Sequence, residues 1–284
     1  TNMANILEAI FNISTLSPNK IKEITLASNG SKSLEIFIKN SFAGVNSTDN
    51  ENEKSNKYSN FFSFEGNKTD SPNLIIKGGD AIEIKKTKNI KSDIQLNSSY
   101  PKAKLKSNSP ITNKHCRNCE EWNEKDIIYI IGHIPRKTKK LSSLWLTFGN
   151  IYAADEEIYT FVENLILDSL DEIGNITFSK TKEICRVNYI DPLKITNIKI
   201  RDVCLFQLQP PVKVYNYVYE YQPHLNFQLV AFIPTKKYLS FPNESRNKIE
   251  FSTEINIQEV HIKDPNNIVN LIPCKLITFE IPQS

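Results

Sequence analysis

Glu83 and Lys85 stand two residues apart in "PNLIIKGGDAIEIKK", the stretch from Pro72 to Lys86. Alternate side chains of an extended strand share a face, so this carboxylate and this ammonium point the same way. Such a pair suits phosphodiester hydrolysis. The carboxylate holds a divalent cation such as Mg²⁺, and the lysine orients or helps deprotonate the attacking water. The chemistry asks for a second acidic ligand near the start of the neighbouring strand, where Asn73 stands instead. An amide keeps the shape of a carboxylate and removes its charge. That weakens Mg²⁺ binding and can abolish cleavage while leaving DNA binding intact.

Whether Asn73 joins this face depends on the hairpin. If Gly78, Gly79 and Asp80 form a three-residue loop, Lys77 pairs with Ala81, Ile75 with Glu83 and Asn73 with Lys85, and Asn73 shares the face. A two-residue Gly-Gly turn shifts the register by one and turns Asn73 away. The residues leave both open. Asp80 lies three positions before Glu83, and an odd offset sends it to the opposite face. Asp70, just before "SPN", is the better substitute carboxylate, although it precedes the strand.

The other chemically suggestive residues have bland readings beside the sharp ones. Cys116 and Cys119 form a CxxC next to His115, but a zinc site needs two more ligands; His133 or a distant cysteine is available, and no second CxxC exists. Ordinary packing is the preferred reading of these thiols. Lys102, Lys104 and Lys106 lie along one side of an extended segment, as a solvated face or as phosphate contacts. Tyr215, Tyr217, Tyr219 and Tyr221 alternate along "VKVYNYVYEY" and are read as one face of a strand used for sheet packing or a dimer surface rather than base stacking. No Gly-rich phosphate loop or serine-hydrolase elbow is convincing.

The elements that must hold the Glu83–Lys85 pair follow from hydrophobic spacing. Leu7, Ile10 and Phe11 share a helical face, and so do Leu34, Phe37, Ile38 and Phe42, with Ser31 or Ser33 as cap, Gly44 as stop and Glu35 beside the apolar stripe. "NSTDNENEKSNKYSN" (46–60) has almost nothing to bury and reads as a loop. Strands are expected at 61–65, 73–77, 81–86, 126–134, 143–150 and 227–233, and an amphipathic helix with acidic start at 155–166. Beyond about Ile173 the chain turns β-rich. With 284 residues and 39% hydrophobic content it suffices for one large domain. The net charge of +3 makes any basic surface a local one. Five cysteines, an odd number, and no apolar opening segment point to a reducing cytoplasm, and no apolar run approaches the roughly 18 to 20 residues that span a bilayer.

"PNLIIKGGDAIEIKK", "LNSSYPKAKL" (Leu96–Leu105), "CRNCEEWNEKDIIY" (Cys116–Tyr129), "SLWLTFGNIYAA" (Ser143–Ala154) and "KYLSFPNESR" (Lys237–Arg246) together resemble the NgoPII-type restriction endonucleases. A lone E-x-K recurs by chance, whereas this ordered set runs from the helix around Glu35 to near Arg246. The resemblance implies an α/β fold: a PD-(D/E)xK restriction-endonuclease-like core, a mixed central sheet flanked by helices, with a β-rich C-terminal elaboration. One domain, 1–284, would divide into a catalytic core, 1–173, and a DNA-recognition elaboration, 174–284. It implies a Mg²⁺-dependent type II enzyme cutting double-stranded DNA at the palindrome GGCC, within a restriction-modification system that includes a methyltransferase. Glu83 is then a metal ligand, Lys85 the catalytic lysine, and Asn73 occupies the metal-binding position of the motif's aspartate, which puts cleavage by this chain in question. Glu35 matches an acidic helix position used as a further metal or water contact.

Reading GGCC calls for donors at guanine O6 and N7, where arginine is the usual choice. Arg186, Arg201 and Arg246 are the candidates, each weighed against an ordinary surface ion pair, and Lys102 and Lys104 are candidates for phosphate. A palindrome invites a two-fold symmetric homodimer. The rival readings are a repair or junction nuclease on the same core, which would cut branched DNA without needing GGCC, and a catalytically silent DNA-binding protein.

Overall fold

The computed structural model describes residues 4–24, 30–66, 71–96, 100–171, 185–200 and 204–283. Helices come first: α1 (Ile6–Ser14), α2 (Pro18–Lys22), α3 (Gly30–Ala43) and α4 (Glu51–Phe61). Strands β1 (Phe62–Glu65), β2 (Leu74–Ile76), β3 (Ala81–Thr87), β4 (Ile94–Gln95) and β5 (Lys104–Lys106) follow, then the one-turn α5 (Lys114–Arg117), β6 (Glu124–His133), β7 (Ser143–Phe148) and α6 (Glu156–Asp171). Next are β8 (Cys185–Asn188), β9 (Thr196–Ile200), β10 (Cys204–Leu208) and α7 (Pro211–Val214). The chain ends with β11 (Phe227–Pro234), α8 (Thr235–Ser240), α9 (Asn243–Glu250), β12 (Ile255–Lys263) and β13 (Leu271–Ile281).

Among the described residues, nine strands make one mixed sheet in the order β1-β2-β3-β6-β7-β11-β13-β12, with β5 added to β6. β3 runs parallel to β6 and β7 parallel to β11, and the other neighbours are antiparallel. Every residue of β7 and β11 is buried, as expected of central strands covered on both faces. Helices flank the sheet, with α3 against β3, α8 against β11 and β13, and α9 against β12. Gly132 in β6 has a steric purpose, since a Cβ there would stand 2.6 Å from a methyl of Leu34, so glycine lets α3 settle on the sheet. A second, four-stranded antiparallel sheet, β4-β10-β9-β8, packs Phe206 edge-on against Tyr100 (6.0 Å) and Tyr159 (6.2 Å). No helix among the described residues is long and apolar enough to cross a membrane.

Three expectations are corrected. Residues 51–61 form a helix instead of a loop: Asn50 and Glu53 build a reciprocal capping box and Lys54 pairs with Glu51, so caps and charges sustain a helix with no buried residue. The segment 212–221 is no strand. Pro211 opens the short α7 and turns follow, so the four tyrosines part company. Tyr215 is buried on Thr147 and the Ile151 carbonyl, Tyr217 accepts from the Lys263 N–H, and Tyr219 donates to Gln228. Helix α3 begins at Gly30, which places Ser31 and Ser33 within its first turn and not ahead of it.

Candidate active site

The β2–β3 hairpin closes through Gly79 N–H to Ile76 O (2.8 Å) and Ile76 N–H to Asp80 O (2.9 Å), with Gly78 at φ +66. Its loop is therefore Lys77-Gly78-Gly79, and Ile75 stands opposite Ala81 with Leu74 opposite Ile82. This is neither of the two registers considered from sequence. The Gly78 conformation is one that side chains resist, and it lets a third residue, Lys77, enter the loop.

On β3, Lys85 Nζ lies 2.7 Å from Glu83 Oε1, so the two side chains meet on one face of the strand. Glu83 is only 3% exposed, which makes that ion pair the main compensation for a buried charge. Its other oxygen accepts a hydrogen bond from Ser71 Oγ at 2.9 Å, and Ser71 Oγ in turn accepts from Lys102 Nζ at 3.0 Å. Burial pulls the Lys102 ammonium below the ordinary lysine range, with Glu83 the chief opposing influence. The Lys102 backbone is fixed by its N–H to the Tyr129 hydroxyl (2.8 Å) and by Gly149, where a Cβ would collide with the carbonyls of Lys102 and Ala103. Two lysines thus converge on one carboxylate. Ser71 escaped the sequence reading because a serine ahead of a strand carries no pattern of its own.

Asn73 sits where the two strands part. Its N–H donates to Ile82 O (2.9 Å), and its Oδ1 accepts the Ile84 N–H at 2.7 Å, so the side chain stands in for a strand carbonyl. Glu35 is half-buried on α3, the helix that touches β3. Asp70 lies outside the described residues. Asp80 is buried and bound by Lys237 Nζ at 2.5 Å, in a network that also takes in Asp126 at 2.8 Å.

The proposed DNA contacts scatter. Lys102 is buried in the cluster just described, and Lys104 is held by Glu124 (2.9 Å) and Asp126 (3.2 Å); both lysines line a cavity of about 260 Å³. That cavity is also lined by Tyr100, Ser109 and Glu156, which hydrogen-bond among themselves. Arg246 lies on α9, bonded to Asn243, and α9 packs on α1 and β12, with β6, β7, β11 and β13 between β12 and β3. Arg186 is in β8 with its side chain outside the described residues, and Arg201 lies outside them altogether. A larger cavity, about 400 Å³, opens among Asn12, Phe37 and Asn40, and neither Glu83 nor Lys85 lines it.

Cys116 is buried and Cys119 half-buried, its thiol 3.7 Å from Ser63 Oγ, and both are free of disulfide. Among the described residues no three His, Cys, Asp or Glu side chains gather as a metal site. At the hairpin, Glu83 supplies one carboxylate and Ser71 a hydroxyl. This donor set meets the lower limit for a hard divalent ion, which takes one or two carboxylates and completes its shell with water and substrate phosphate.

A family model for the NgoPII restriction endonuclease matches residues 4–263. Over 281 residues, 98% of this chain and 100% of the relative, the sequence is 35% identical to the type II restriction enzyme NgoPII of Neisseria gonorrhoeae. No solved structure matches the chain significantly. With the match covering nearly its whole length, the chain belongs to the NgoPII restriction endonuclease family.

Proposed function

We propose that the chain is a type II restriction endonuclease on a PD-(D/E)xK core that binds double-stranded DNA as a homodimer at the palindrome GGCC and hydrolyses a phosphodiester bond with Mg²⁺. Restriction enzymes of this type generally use divalent ions, and Glu83 is the residue to hold one, with Asn73 at the position of a second ligand. When bound, the ion offsets charge on the phosphate and makes its water more acidic. Lys85 orients the attacking water from the same strand face. Lys102 and Ser71 keep the Glu83 carboxylate aimed, and Glu35 is a further contact from α3. Residues 1–173 carry the chemistry and 174–284 much of the recognition, with Lys104 toward phosphate and Arg186, Arg201 and Arg246 toward bases.

The observation that carries this reading is the 2.7 Å Glu83–Lys85 pair on one face of β3 in a chain of this family. Asn73 favours a second reading, a DNA-binding protein that does not cut, because its Oδ1 is engaged by the Ile84 N–H and it brings no charge. Digestion of plasmid carrying GGCC sites, over a Mg²⁺ series, by this chain and by Asn73→Asp separates the two. Cutting at GGCC that appears or rises at least tenfold in Asn73→Asp supports a nuclease limited at one ligand. Silence of both proteins supports binding alone, and cutting of branched DNA without GGCC points to a structure-selective nuclease.

A further inference from the structure

The connection between β6 and β7, "PRKTKKLS" from Pro135 to Ser142, carries the cations Arg136, Lys137, Lys139 and Lys140. All four are exposed, and none forms an ion pair among the described residues. Elsewhere lysines meet carboxylates, as Lys39 meets Glu65 (2.6 Å), Lys57 meets Asp49 (2.7 Å) and Lys248 meets Glu8 (2.9 Å). The whole chain has a net charge of only +3, so this loop is a local concentration of one sign. Its shape is defined by the Lys139 N–H donating to the Pro135 carbonyl (2.8 Å), with Lys139 at φ +58, where glycine would sit at less cost.

Register puts the loop beside the Glu83 cluster. In the parallel β3–β6 pair Lys85 stands opposite Ile131 and Thr87 opposite His133, and the Ile134 N–H donates to the Thr87 carbonyl at 2.9 Å. The loop therefore leaves the sheet at the end toward which Lys85 lies, starting about 13 Å beyond it along the strand. That length covers about four base pairs of duplex. The buried His133 ring joins the two strand ends, 2.9 Å from Ser142 Oγ and hydrogen-bonded to the Lys88 backbone. Lys86 and Lys88 add charge there: burial, and then the neighbouring Lys88, pull the Lys86 ammonium below the ordinary lysine range. Neither 84–92 nor 134–142 contains an Asp or Glu. Beside the loop opens a cavity of about 530 Å³, lined by Lys22, Thr138, Lys140, Ser142 and Asn226 among others, and no Asp or Glu belongs to its described wall. Clustered cations of this kind are the electrostatic footprint of a polyanion.

We infer that the β6–β7 loop is a contact for the DNA backbone, its four cations taking phosphates that flank the one brought to Lys85. The inference deepens the restriction-enzyme reading and rests on it. Cations on phosphates fix register and orientation without reading sequence. The loop therefore serves every duplex alike and leaves the choice of site to other residues.

Fluorescence anisotropy of the full chain with a labelled duplex containing GGCC, and with one in which the site is scrambled, tests this in EDTA across a salt series. The double variant Lys137→Ala with Lys140→Ala is compared with Lys137→Arg with Lys140→Arg, which keeps the charge. The control is Lys236→Ala with Lys263→Ala, which removes the same charge at the opposite end of the sheet, where α8 follows β11 and β12 ends. Thermal melts exclude misfolding. The expected result for the alanine loop variant is a salt slope lower by about two and binding weaker by about tenfold or more, on both duplexes. The arginine variant and the control should bind as the parent does. An alanine loop variant that matches a DNA-binding parent overturns the inference and leaves the restriction-enzyme reading standing. An equal loss in the loop and control variants also overturns it, since total charge then explains the effect, and so does a loss confined to the GGCC duplex, which makes the loop a base reader. A parent that binds both duplexes equally sinks the GGCC reading, and the slope of the loop variant still decides the contact. A parent that binds neither duplex overturns both.

Discussion

Glu83 is a buried carboxylate with a different keeper on each oxygen, Lys85 on one and Ser71 on the other, with Lys102 behind Ser71. The serine hydroxyl is the hinge of this cluster, because it accepts from an ammonium and donates to a carboxylate at once. Ser71→Ala removes both bonds while changing little volume. It should cost about 1 to 3 kcal/mol in urea unfolding at unchanged m-value. Lys85→Met should cost more, about 3 kcal/mol, since it strips the buried charge of its ion pair. Two variants within about 0.5 kcal/mol of the parent would mean that the cluster contributes nothing to the fold.

At the scale of elements, Lys237 of α8 bridges Asp80, at the start of β3, to Asp126 in β6, and so fastens a C-terminal helix to the two parallel strands at the centre of the site. Burial pulls the Lys237 ammonium down, but Asp80 and Asp126 outweigh it and hold it above the ordinary lysine range. Burial likewise pushes Asp126 up, and Lys237 more than reverses this, so its carboxyl titrates below the usual 3.8. A lowered carboxyl stabilises the fold above its unfolded value and loses that contribution as the pH falls. Lys237→Met should therefore cost about 3 kcal/mol at pH 7, and its stability should fall less steeply than the parent's between about pH 5 and pH 3. Parallel acid limbs for the two proteins would refute the clamp. Sequence alone made the Glu83–Lys85 pairing legible, since strand parity is local and alternation declares it. It also excluded Asp80 from the Glu83 face. The register was not legible, because it turns on whether Lys77 enters the loop, a choice made by one glycine at positive φ. The helix at 51–61 was hidden because its caps, and not an apolar stripe, sustain it. The tyrosines of 215–221 mimicked strand alternation while Pro210 and Pro211 were starting a helix turn.

The whole molecule is joined by its sheet. β7 has β6 on one side and β11 on the other, and β11 is contributed from beyond residue 173, as are β13 and β12 outside it. Every residue of β7 is buried, so removing the chain after 173 would uncover a flat apolar edge rich in unpaired backbone groups. The loss would reach the first helix as well: α1 packs on α9, where Asn5 donates to Ser245 Oγ at 3.1 Å and Lys248 pairs with Glu8 at 2.9 Å. Burial of each large side chain in β11, such as Phe232, is worth roughly 1.5 to 3 kcal/mol, and several are forfeited together against a total stability of only about 5 to 15 kcal/mol. A chain cut at 173 should thus fail to fold, even though it holds Glu35, Asn73, Glu83, Lys85 and Lys102. The full chain should melt in one transition seen alike by circular dichroism and by tryptophan fluorescence, since Trp145 lies on the shared strand. The fragment 1–173 should show no cooperative melt and should aggregate through the exposed edge. A soluble fragment with its own sharp transition would divide the protein into two independent units, and the Glu83 cluster and the C-terminal half would then have to be joined by something other than the sheet.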